Sequence, residues 1–115
     1  MKISLNGYNN LSATFECGSN VTAGGVVMTG NSKVENSSDG EDLIGICTSV
    51  RGNTATVLMQ GYVEMNYTGT NPSVGYGNIV ASGKATVKVG DSFNASKKRL
   101  IVKVDSNNKI IGFIL

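Results

Sequence analysis

The fold is decided by the stretch TATVLMQGYVEMNY at residues 54–67. Side chains of a β-strand point alternately to its two faces, and here the odd-numbered positions are apolar while most even-numbered positions are polar. This pattern predicts one long strand with a buried face and a wetted face. Gly61 stands in its middle without breaking the alternation, which predicts a bend where the strand turns a barrel corner. The apolar odd positions are Ala55, Val57, Met59, Val63, Met65 and Tyr67, and the apolar exceptions among the even positions are Leu58 and Tyr62.

The residues just before this stretch predict its partner. Residues 42–50 read DLIGICTSV, a second β-rich run, and residues 51–53 read RGN. Gly and Asn tolerate the positive φ angles that a tight hairpin turn requires. We therefore expect 42–50 to pair antiparallel with the long strand.

The rest of the chain alternates between short β-rich runs and clusters of Gly, Asn, Ser and Asp, which are typical of turns. No stretch of ten or more residues has a helical period, and residues 92–98 suit one helical turn or a loop equally. With 115 residues there is room for one core. The sequence thus predicts a single all-β domain over residues 1–115, a small β-barrel or β-sandwich with little or no helix. The further runs are 12–17, 26–29, 78–81, 85–89, 100–104 and 109–115.

The two halves of the chain echo each other. A Gly-led apolar strand ending in a small-residue turn occurs at 25–34 and again at 77–84, and apolar-apolar-Gly-apolar steps follow at 43–46 and 110–113. A glycine inside a buried strand marks a bulge or a close backbone approach. The echo therefore has two explanations, a packing rule of small barrels or a duplication.

The charge and the cysteine content limit the classes of partner and site that we expect. The formal charge of +2 is scattered, with one basic run at residues 97–99, so we expect neither a nucleic-acid nor a membrane partner. Cys17 and Cys47 have no CxxC spacing and the chain has no His, which favours two free, partly buried thiols over a disulfide or a metal site. Residues 1–10 lack a secretory apolar region, so we expect synthesis in a cytoplasm.

Residues suited to catalysis are sparse. The absence of His excludes Ser–His and Cys–His nucleophile pairs. Asp39, Glu41 and Asp42 share a Gly-containing turn, which favours a solvated loop over a carboxylate pair or a Ca²⁺ site. Residues 75–77 (GYG) lack the helix and the Lys of a phosphate-binding loop, which favours a turn. We predict no enzymatic activity and no cofactor or metal.

Three segments carry a resemblance to a known family. Residues 26–34 (VVMTGNSKV), 38–46 (SDGEDLIGI) and 54–63 (TATVLMQGYV) give an apolar strand, an Asp-Gly loop, an apolar-Gly-apolar strand and a Thr-rich strand ending in Gly-aromatic. This order resembles the core of tailed-phage head decoration proteins, the lambdoid decoration protein and the related capsid cement family. The resemblance covers residues 25–65 well and the C-terminal part loosely.

The resemblance implies a structural protein of the virion that is made in the bacterial cytoplasm. Such proteins sit, commonly as trimers, on the outside of the phage head and clamp neighbouring major capsid protein subunits together. Their N-terminal arm often becomes ordered on the shell, which implies the same role for residues 1–10 with Ile3, Leu5 and Tyr8; an ordinary first strand is the alternative. From the long strand itself, Tyr62 on the wetted face is a further candidate contact.

Two other classes of function fit the composition. One is another virion module, such as a tail or head fibre. The other is a surface adhesion or carbohydrate-binding β domain, which would require an export signal and more exposed aromatic side chains. We expect a capsid decoration protein first and these as alternatives.

Overall fold

A computed structural model describes residues 10–30, 32–90 and 98–115 of the chain. Within these ranges the chain forms ten β-strands and no helix. The strands are β1 (Leu11–Glu16), β2 (Val26–Thr29), β3 (Val34–Asn36), β4 (Gly45–Arg51), β5 (Thr54–Gln60), β6 (Tyr62–Asn66), β7 (Gly75–Ala81), β8 (Val87–Val89), β9 (Lys98–Asp105) and β10 (Ile110–Ile114).

The strands build two five-stranded antiparallel sheets. The first sheet has the order β1-β5-β4-β2-β3, and the second has the order β6-β10-β9-β7-β8. The two sheets pack as a sandwich, so the predicted all-β fold is confirmed and a closed barrel is not what forms. The predicted hairpin is also confirmed, because β4 pairs antiparallel with β5 around the turn after Arg51.

The same topology occurs twice in succession. Replacing β1 to β5 by β6 to β10 converts one strand order into the other. In both sheets the two edge strands approach each other through an isolated parallel bridge. The bridge joins Cys17, after β1, to Val34 in β3 in the first sheet, and Tyr67, after β6, to Val87 in β8 in the second. Each sheet is therefore a complete copy of one five-stranded unit.

A bulge marks the same place in both units. The pairing between the fourth and fifth strands skips one residue, Thr48 in β4 and Val102 in β9. The echo in the sequence is confirmed for its first member, since β2 and β7 hold the same place in their sheets. The second part of the echo, which matched residues 43–46 with 110–113, is wrong. Residues 43–46 lead into β4, whereas 110–113 lie in β10, and the counterpart of β10 is β5.

Gly61 divides the long predicted strand. The alternation continues through it, but β5 belongs to the first sheet and β6 to the second, so the bend leads from one sheet to the other. Gly61 has a φ of 142°, which residues with a side chain rarely adopt, and a Cβ there would collide with the Asn10 side chain. The predicted buried face is largely confirmed: Ala55, Val57, Val63 and Tyr67 are buried, and Met59 and Met65 are half-buried.

Two apolar cores result. The first-sheet core lies on one face of the first sheet, and the inter-sheet core lies between the opposite face of that sheet and the second sheet. The first-sheet core comprises Cys17, Val21, Val27, Val34, Cys47, Ala55 and Val57. The inter-sheet core comprises Val26, Leu43, Ile46, Val63, Tyr67, Ile79, Ala81, Val87, Ile101, Ile111 and Phe113.

Both cysteines belong to the first-sheet core. Cys17 and Cys47 are buried and free, which confirms the predicted pair of thiols. Burial raises the pKa of the Cys47 thiol above its ordinary value and outweighs the opposite effect of the Ser49 backbone. The thiol therefore stays protonated and packs as a small apolar group.

The buried Arg99 binds the acidic turn, which we define as residues 39–42, to the second sheet. Arg99 in β9 is 3% exposed, and its guanidinium lies 3.3 Å from the Asp42 carboxylate while donating a 2.7 Å hydrogen bond to the Leu43 carbonyl. Asp39 in the same turn pairs with Lys88 at 2.9 Å on the surface. Both acids thus hold the turn against the second half of the chain.

The two ion pairs predict different sensitivities to neutralisation. Asp42→Asn keeps an acceptor for the Leu43 amide but leaves the guanidinium without its counter-charge, so we expect a loss of about 2 kcal/mol in the free energy of unfolding. Water reaches the Asp42 side chain, which is 32% exposed, and this lowers the penalty below that of a fully buried pair. Asp39→Asn, in the exposed pair, should cost less than about 1 kcal/mol. Urea unfolding of both variants tests the contrast, and equal losses would contradict it.

Candidate interaction surface

Tyr62 lies on the face of the second sheet that is turned away from the inter-sheet core. Its side chain is half-buried because the ring crosses to β10, where the hydroxyl lies next to Gly112 in the place that a Cβ would occupy. Glu64 and Lys103 share this face and form a 3.0 Å ion pair. The sequence placed Tyr62 on a wetted face; the structure packs it on a glycine beside two charges.

A row of apolar side chains extends from Tyr62 across four strands. Ile114 pairs with Tyr62, Leu100 pairs with Ile114, and Tyr76 pairs with Leu100. Their chain neighbours Val63, Phe113 and Ile101 face the inter-sheet core, so the four residues project to the opposite side. We call Tyr62, Ile114, Leu100 and Tyr76 the outer row.

The outer row becomes more exposed toward β7. Tyr62, Ile114 and Leu100 are half-buried, whereas Tyr76 is 76% exposed. An open cavity of about 440 Å³ lies beside Tyr76, between the loop at residues 70–73 and β7, and Val89 contributes to its wall. Tyr76 is thus an exposed aromatic side chain between an apolar row and a cavity, which is a common composition for the centre of a protein interface.

The other predicted contacts lie outside the described residues. Ile3, Leu5 and Tyr8 belong to residues 1–9, and of the proposed arm only Asn10 is described. Sequence reasoning missed three members of the outer row. The turn predicted at residues 75–77 is wrong, because these residues begin β7. Leu100 and Ile114 lie within the predicted apolar runs, but the runs alone do not show which side chains face outward. The signal that links them is cross-strand register, which a single sequence does not reveal.

The environment of Tyr62 predicts a measurable titration. Burial and the nearby Glu64 carboxylate both raise the pKa of Tyr62 above its ordinary value near 10. The pKa is higher in the folded than in the unfolded state, so the neutral phenol stabilises the fold. This contribution to the free energy of unfolding is fully present below the ordinary pKa and is lost as the pH rises through the raised pKa. We expect Glu64→Gln to move the pKa back toward its ordinary value.

Tyrosinate absorbance measures this shift, and subtraction of a Tyr62→Phe titration isolates the Tyr62 step. An unchanged pKa in Glu64→Gln would show that the carboxylate does not act on the phenol.

The described residues contain no group of three or more His, Cys, Asp or Glu side chains arranged to hold a metal ion. In the same ranges, the structure has no helix with the length and apolar character needed to cross a membrane.

Comparison with known proteins gives one informative likeness. No protein-family model matches the chain, and no curated protein matches it. Among solved structures, the crystal structure of the N base of head fiber gp8.5 of bacteriophage phi29 is similar over 93% of this chain and 94% of that chain, with a TM-score of 0.58. The two sequences are 16% identical, so the likeness is one of fold. This chain therefore has the fold of a phage head-fibre base along nearly its whole length.

Proposed function

We propose that this chain is a structural protein of a tailed-phage virion that binds the outside of the head, with the major capsid protein as its partner. The main observation in support is the fold shared with the phi29 head-fibre base over nearly all of both chains. The decoration-protein resemblance of residues 25–65 supports the same location from the sequence. The proposed action is binding alone, without catalysis or a cofactor.

The form of the molecule suits such a role. A sandwich with two filled cores is a rigid body, and rigid partners lose little conformational entropy on binding. Asp39 and Asp42 of the acidic turn are engaged in the Lys88 and Arg99 pairs. What the described surface offers instead is the outer row with its exposed Tyr76.

Two roles on the head are candidates. A decoration protein covers the lattice with many copies, as trimers in the family that the sequence resembles. A head-fibre base would instead attach a fibre to the head, and the phi29 likeness favours this second role. Copy number tests between the two roles, because a decoration protein that covers the lattice approaches one copy per capsid subunit.

The deciding measurement is the copy number of this protein relative to the major capsid protein in purified particles from the source strain, by quantitative mass spectrometry. Near-equimolar amounts would support decoration. A few copies per head, found in the head fraction after heads and tails are separated, would support a fibre base.

Two results would contradict a head protein. Recovery with isolated tails would assign the chain to another virion module. Absence from particles, with a cytoplasmic protein of the host as the reference for carry-over, would exclude a virion role and favour the adhesion alternative.

A further inference from the structure

The outer row has a counterpart in the first sheet. Because the two units share strand order and bulge position, each residue of the row has an equivalent at the same place in the other unit. The counterpart row also runs across four strands by direct pairing. It consists of Ser12, Leu58, Ile46 and Val26.

The two rows differ in what covers them. In the first sheet, Val26 is 0% exposed and Ile46 is 9% exposed, because the second sheet packs on them. In the second sheet, Tyr76 holds the position of Val26 and is 76% exposed. The same face of the five-stranded unit is therefore a packing surface in the first sheet and faces solvent in the second.

We propose that the outer row is an interface with a second copy of this chain, which covers it with its own outer row. This inference is independent of the proposed function. A face that pairs with itself does so about a two-fold axis. An axis parallel to the strands and between β9 and β10 places Tyr62 opposite Tyr76 of the second copy, and Ile114 opposite Leu100.

Charge complementarity selects a second copy as the occupant. Glu64 and Lys103 flank Gly112 on neighbouring strands of this face. The same rotation places Lys103 of the second copy over Gly112 of the first. There it is displaced sideways by one strand spacing, roughly 4.8 Å, from Glu64 on one side and from Lys103 on the other. The axis therefore gives two attractive Lys103–Glu64 contacts and one repulsive contact between the two Lys103 side chains, and the balance is attractive. The formal charge of +2 per chain adds little repulsion.

The first test is the mass of the purified chain by sedimentation velocity over a concentration series. We expect a monomer–dimer equilibrium, and we expect Tyr76→Asp to weaken dimerisation about tenfold or more by putting a charge opposite Tyr62. Tyr76 is too exposed for this change to disturb folding. Leu11→Asp is the matched control, since Leu11 is 58% exposed on the first sheet and lies outside the outer row.

The second test uses charge reversal. Glu64→Lys and Lys103→Glu should each reduce self-association, because each variant presents two like charges to its own copy. An equimolar mixture of the two should recover association as a heterodimer. Both sites are exposed, so neither change removes a buried contact.

Several outcomes would overturn the proposal. These are a monomer at every concentration, equal weakening by the Leu11 and Tyr76 variants, or no recovery in the mixed sample. A monomer whose Tyr76→Asp variant no longer enters particles would assign the row to another virion protein. Absence of the chain from particles would leave the dimer in solution unaffected, so the two proposals fail separately.

Discussion

Phe113→Ala is expected to lower the free energy of unfolding by about 3–5 kcal/mol. Phe113 is 0% exposed in the inter-sheet core, where it lies on the central strand pair of the second sheet. Removing the ring loses its apolar burial and leaves a cavity, because side chains from both sheets enclose the site and collapse only partly. Denaturant unfolding followed by circular dichroism gives the change.

Val57→Ala is the matched variant, because Val57 holds the equivalent position in the first sheet and is also 0% exposed. It removes fewer atoms, from the smaller first-sheet core, so we expect a loss of about 2 kcal/mol. A loss below about 1 kcal/mol for Phe113→Ala would show that the inter-sheet core is loosely packed.

Gly45→Ala is expected to destabilise the chain by about 3 kcal/mol or more, through backbone displacement and not through a cavity. Gly45 begins β4, and a Cβ there would collide with the carbonyl oxygen of Leu58 and with the Val57 side chain on β5. A backbone carbonyl in a sheet cannot rotate away as a flexible side chain can. The central pair of the first sheet must therefore separate to admit one methyl group.

Gly40→Asn is the control for this variant. Gly40 has a φ of 84° with no atom within 4 Å of a Cβ, and Asn tolerates such an angle better than most residues. The control should retain most of its stability, and thermal unfolding of the two variants compares them. Equal losses at Gly45 and Gly40 would refute a steric role for Gly45.

The long strand and its hairpin could be predicted from the sequence because one face is buried and the other is wetted. Where a strand is buried on both faces, the alternation disappears. In β9, Leu100, Ile101 and Val102 are three consecutive apolar residues, and a bulge at Val102 interrupts the alternation of faces. The sequence therefore does not show which of the three faces outward. The short strand β3 was missed, because three residues carry almost no periodic signal.

The division into two sheets could not be predicted for a different reason. An unbroken alternation through Gly61 is compatible with a bend within one sheet or a passage between two, and only the pairing partners of β5 and β6 distinguish these. The same limit applies to the candidate surface. Tyr62 could be singled out by its parity, whereas Tyr76 joins it only through two intervening strands.

The change of sheet at Gly61 has a consequence for synthesis. Every strand of the first sheet precedes that residue, so the strands of the first unit leave the ribosome before those of the second. Until the second sheet docks, with the Val26 amide donating to the Lys84 carbonyl and the Gly40 amide to the Ala81 carbonyl, the nascent chain displays Val26 and Ile46 to the cytosol. A released chain that ends just after Gly61 would therefore expose this apolar face, which the second half of the full chain covers.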